Sequence, residues 1–154
     1  MPRTSVDVEA AIDIARPRAE VWAVLADADR LPDWLGDFQA AECVGEQRSG
    51  VGTTVRFELS SGLVTTMEFL EWVDGERLVF EGAPQPLPLP GGRLIPHGAH
   101  ELSDAAGGGT RLVSHYRPEL TGTAVVARPY VSSWLRKHRQ RDAERLKELV
   151  EAGP

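Results

Sequence analysis

One stretch constrains this chain more than any other. Residues 122–150 form the only segment long enough for a major helix. On a helical wheel from Pro129, Val131, Trp134, Leu135, His138, Asp142, Leu146 and Leu149 fall on one side, near the i, i+4, i+7 spacing. Arg136, Arg139, Gln140, Ala143, Glu144 and Lys147 fall on the other. An apolar face that carries His138 and Asp142 points to something other than a dry core beneath it. Those two residues are four apart and therefore neighbours, so they either pair with each other or face a ligand.

The rest of the chain supplies what such a helix must cover. Val6, Val8, Ala10, Ile12 and Ile14 alternate with Asp7, Glu9, Ala11 and Asp13, the pattern of a strand with one buried face. Pro17 opens a short helix whose apolar side is Val21, Trp22, Val24 and Leu25. Residues 31–36 read as a second short helix ended by Gly36. Strands follow at 38–44, 53–59, 63–73, 77–81, 94–102 and 110–117, separated by turns at Ser60-Ser61-Gly62, Asp74-Gly75 and Gly107-Gly108-Gly109. Residues 83–92 hold Pro84, Pro86, Pro88 and Pro90, which cannot donate to a ladder, so they read as a loop, passive or a gate. The implied architecture is α+β and a single domain spanning residues 1–154. An antiparallel curved sheet of about seven strands wraps around the C-terminal helix, with two short helices after the first strand. At ~1.5 Å per residue, residues 129–150 span roughly 33 Å, enough to cross that sheet. A strongly twisted sheet gripping one helix leaves space between them.

Composition narrows the function classes. With 154 residues, 42% hydrophobic and 26% charged, the chain is globular rather than disordered, and no apolar run reaches the ~20 residues that span a bilayer. The N-terminal residues lack the apolar run of a signal peptide, and the single Cys43 suits a reducing compartment, so the expected location is cytoplasmic. A net charge of −6 argues against nucleic acid as the partner. The basic run at residues 136–141 reads as a solvated helix face, because acidic residues follow it directly.

The segment Ile12-Asp13-Ile14-Ala15-Arg16-Pro17, continuing through Val21-Trp22 and Leu31-Pro32-Asp33-Trp34-Leu35, resembles the START-like helix-grip superfamily (SRPBCC), in its polyketide cyclase/dehydrase branch. The likeness extends through Gly52-Thr53, Arg77-Leu78-Val79-Phe80, Gly109-Thr110-Arg111-Leu112 and Glu144-Arg145-Leu146-Lys147, nearly the whole chain. The resemblance implies a deep cavity between sheet and long helix for an apolar or amphipathic small molecule. It carries over no catalytic residue, since members include lipid carriers, receptors and aromatase/cyclases, and fold alone licenses only analogy for function.

Strand parity then selects candidates. Val55, Phe57 and Leu59 point inward, as do Leu78 with Phe80, His100 with Leu102, and Leu112 with Ser114 and Tyr116. On residues 63–73 the inward set is Thr65, Met67 and Phe69, although Leu70 and Trp72 offer the opposite parity. His100, Tyr116 and His138 are the candidate catalytic or orienting groups, able to transfer a proton or hold a carbonyl. The expected ligand walls add Trp34, Val55, Phe57, Met67, Phe69, Phe80, Tyr130 and Trp134. His97, His100, His115 and His138 lack the spacing of metal ligands, and neither metal nor cofactor is implied. The leading expectation is a carrier or sensor of a hydrophobic small molecule, without membrane insertion. The rival is an aromatase/cyclase or dehydratase acting on a polyketide-derived intermediate, and a third reading is a protein-interaction module. His100, Tyr116 and His138 converging on a closed pocket would favour the enzyme, and a wholly apolar channel the carrier.

Overall fold

In the computed structural model, which describes residues 3–153, alternation in β2 (Val8–Ile14) buries Val8, Ala10 and Ile14. The same alternation shapes β4 (Thr54–Leu59), β5 (Val64–Val73), β6 (Arg77–Gly82), β9 (His97–Asp104) and β10 (Thr110–Tyr116). With β3 (Phe38–Cys43) they form a seven-stranded antiparallel sheet in the order β2-β10-β9-β6-β5-β4-β3. After β2 come α1 (Arg18–Leu25) and, following one 3-10 turn, α2 (Leu31–Trp34). The chain ends in α3 (Arg128–Glu151), 24 residues long, which at ~1.5 Å per residue reaches roughly 36 Å. This is the helix-grip arrangement, with β2 packed directly beneath α3.

Prolines rearrange what strand patterning alone suggests. The expected single strand over residues 94–102 is two strands, β8 (Arg93–Ile95) and β9, because Pro96 has no N–H to continue a ladder. The expected loop over residues 83–92 contains β7 (Gln85–Pro86), which pairs with β8. Beyond Pro118, β11 (Glu119–Thr121) leaves the large sheet in the same way. Together with β1 (Arg3–Ser5) these short strands make a second, four-stranded sheet in the order β1-β11-β8-β7. The first expected strand, residues 6–14, is observed as β2 from Val8, and β1 is a separate strand just ahead of it.

The competing parities of β5 are both realised. Register against β6 shifts between Phe69 and Glu71, so Leu70 occupies a bulge and is exposed. Met67 and Phe69 point into the core before it, and Trp72 does so after it, edge-on to Trp22 and to Phe69.

The apolar interior falls into two clusters. Leu146 and Val150 near the C-terminal end of α3 pack with α1, α2 and the large sheet. Val131 and Leu135 near its start pack with Val8 at the beginning of β2, with Val6 just before it, and with Leu94 and Leu120 of the small sheet. The buried stripe therefore runs through Val131, Leu135, Asp142, Ala143, Leu146 and Val150, rotated on the helix toward Ala143 relative to the wheel drawn on sequence. Ala143, expected outside, is buried, whereas Trp134, expected inside, is 40% exposed. Between the two clusters α3 presents no large apolar side chain.

Candidate functional site

A cavity of about 440 Å³ lies where the two clusters part, bounded on α3 by Trp134, Leu135, Arg139, Asp142 and Ala143. Strands β4 and β5 contribute Phe57, Met67 and Phe69, β6 contributes Leu78 and Phe80, and α2 contributes Trp34. The rim includes Leu87 and Pro88 of the proline-rich connection and Ser60-Ser61 of the β4–β5 hairpin. Of the residues expected on the walls, Trp34, Phe57, Met67, Phe69, Phe80, His100, Tyr116 and Trp134 are there.

Three are not. Val55 is wholly buried but lies behind the lining, in the packed core. Tyr130 is 75% exposed on the outside of α3. His138 also lies outside the cavity: its Nδ1 is 2.8 Å from the Trp134 carbonyl oxygen one turn back, and its ring stacks on the Trp134 indole at 3.7 Å. His138 and Asp142 thus do not pair with each other, and of the two only Asp142 reaches the cavity wall. Asp142 accepts from the Gly36 amide at 3.1 Å and from Arg145 Nη1 at 3.1 Å, with Arg139 Nη2 at 3.6 Å. This carboxylate ties α3 to the turn after α2. A side chain on Gly36 would displace the Arg145 guanidinium from its place beside Asp142.

Polar groups on the wall gather at one place. His100 and Ser114 face each other across β9 and β10, with His100 Nδ1 2.8 Å from Ser114 Oγ. Tyr116 follows on β10, and the Arg139 guanidinium lies 5.0 Å above its ring, a cation–π arrangement. Trp34 and Phe80 flank His100 at 5.8 and 5.6 Å between ring centroids. Burial first, and the Arg139 charge second, push the His100 pKa down to about 4. Burial raises the Tyr116 pKa against the opposing pull of Arg139. Burial likewise raises that of Asp142, against Arg139, the Gly36 amide and Arg145.

At neutral pH this leaves a neutral imidazole, a phenol and a guanidinium on a wall that is otherwise largely apolar. Such a cluster offers hydrogen-bond donors to a polar group entering the cavity. It is poorly tuned for proton transfer, which works best when the catalytic pKa lies near the operating pH. Arg139 was missed from sequence because an arginine within a basic run reads as solvated. The signal was its spacing, midway between Leu135 and Ala143 at i, i+4, i+8. Among the described residues, no group of three or more His, Cys, Asp or Glu side chains is placed to hold a metal ion.

The family model for "Polyketide cyclase / dehydrase and lipid transport" matches residues 5–151. The chain belongs to this family. No curated protein matches it. Among solved structures it is similar to a Thermus thermophilus protein, TTHA0849, at 23% identity, TM-score 0.73, and 95% and 97% coverage of the two chains. It is similar to the Zhui aromatase/cyclase of Streptomyces sp. R1128, at 17% identity, TM-score 0.74, and 96% and 94% coverage. A START superfamily protein from Mycobacterium smegmatis aligns at 12% identity, TM-score 0.73, and 96% and 98% coverage. At these identities the likeness is one of fold, the helix-grip arrangement. No helix among the described residues is long and apolar enough to cross a membrane.

Proposed function

We propose that this protein binds a hydrophobic or amphipathic small molecule in the cavity between sheet and α3. The observation that carries the reading is the division of the wall. Phe57, Met67 and Phe69 supply apolar surface, and His100, Ser114, Tyr116 and Arg139 gather into one polar cluster beside it, apart from the wall carboxylates Asp37 and Asp142. A volume of about 440 Å³ lies within the ~300–1,000 Å³ of pockets that enclose small ligands. In this reading Trp34, Phe57, Met67, Phe69 and Phe80 contact the ligand body, and Tyr116 with His100 orients its polar end.

The enzymatic alternative, a cyclisation or dehydration of a polyketide-derived substrate, draws on the similarity of fold to an aromatase/cyclase. It would need His100 to exchange a proton near neutrality, and a pKa of about 4 opposes that. The binding reading is tested by titrating the protein with an environment-sensitive apolar fluorophore, alongside native mass spectrometry of protein purified from its own host. Met67→Trp, which fills the cavity, is expected to weaken the fluorophore about tenfold or more while the fold persists. Equal binding to both proteins would sink the proposal.

A further inference from the structure

The arginine on the cavity wall is unusually short of partners. A guanidinium carries five N–H donors, yet Arg139 makes no hydrogen bond to any described residue, and its Nε is fully buried with none. The one carboxylate near it, Asp142, presents its Oδ2 at 3.6 Å, an ion pair beyond good hydrogen-bond distance, while its Oδ1 is held by the Gly36 amide and Arg145. A second buried donor on the same wall, Trp34 Nε1, also lacks a partner. Leaving such donors unmet is costly, and more so when the group is charged. Beyond the loose Asp142 ion pair, the guanidinium keeps an edge free on a side chain that is 22% exposed, an edge that suits a planar oxyanion able to take two parallel N–H bonds.

Resting on the binding reading above, we propose that Arg139 is the recognition site for a ligand carboxylate, so that the cavity takes an amphipathic organic acid. The apolar body lies against Phe57, Met67 and Phe69. The carboxylate meets the outward edge of the guanidinium over Tyr116, whose hydroxyl is a further donor. Asp37, the other carboxylate on the wall, has no cation within 4.0 Å among the described residues. It repels the acid, and so the head group is drawn to Arg139 and held away from the α2–β3 turn. Arg139 thereby sets both the class of ligand and its orientation. A neutral His100 adds no second positive charge.

The test compares decanoate with decanol, equal in chain length and differing in the head group, by isothermal titration calorimetry at neutral pH. The proposal expects decanoate to bind about tenfold or more tightly than decanol. Arg139→Gln should abolish that preference, chiefly by weakening decanoate. Asp37→Asn should strengthen decanoate alone, and it reports on the same field without touching the arginine. Equal binding of the two probes, or a preference that survives Arg139→Gln, overturns the carboxylate site and leaves the cavity reading standing. Failure of both probes to bind wild-type protein overturns the cavity reading as well.

Discussion

His100 shows how much one buried titratable side chain costs this protein. It sits between Trp34 and Phe80 and keeps one protein partner, Ser114. An imidazole in the unfolded chain takes up a proton near pH 6.5, whereas the folded one resists until about 4. Between those values the unfolded state binds more protons, so stability falls as pH drops through the window and is fully restored above 6.5. At 1.36 kcal/mol per unit the difference is about 3 kcal/mol. Urea denaturation at pH 6.5 and at pH 4 should therefore show wild type losing about 3 kcal/mol more than His100→Gln, which keeps the bond to Ser114. Equal acid sensitivity of the two proteins would show that the imidazole is not the source. Histidine on an inward strand position was legible from parity. Its neutrality was not, because that depends first on burial between Trp34 and Phe80 and then on Arg139, a residue of a helix 39 positions later.

At the scale of elements, the two-residue period of β5 and the bulge within it determine which side chains reach the core. The bulge at Leu70 lets one strand bury Phe69 and Trp72, which simple alternation places on opposite faces. Replacing the aromatic that the bulge turns inward, Trp72→Ala, would remove its contacts with Trp22 and Phe69. The substitution should lower stability by about 3 kcal/mol, the order expected when a large aromatic leaves a core. Urea denaturation checks this, and a variant of native stability would show those contacts to be dispensable. Helix α3 was legible as an element, but its rotation was not. Its wheel carries apolar and polar side chains at intermediate angles, and only the Asp142–Gly36 bond and the position of Leu135 on the small sheet choose among them. That is why His138 lies outside, against Trp134, and Arg139 lies on the wall.

For the whole molecule, the cavity is the consequence of two apolar clusters that one helix spans without filling the gap between them. A ligand that fills the gap binds only the folded state. At a free concentration a hundredfold above Kd it should raise the unfolding free energy by about 2.7 kcal/mol. Calorimetry should register this as an unfolding temperature higher by a few degrees (about 2–8 °C for a domain of this size). The same addition to Met67→Trp should give no shift, and an equal shift would place the ligand elsewhere. The sequence by itself determined the α+β class, the order of strands and short helices, the long closing helix and most of the inward-facing apolar residues. Those properties follow from local periodicity and from glycine and proline at turns, which act within a few residues. Only the tertiary structure decided the small second sheet, the rotation of α3 and the polar cluster of His100, Ser114, Tyr116 and Arg139. Each depends on contacts between segments distant in the chain, where packing and desolvation outweigh the preference of any single residue.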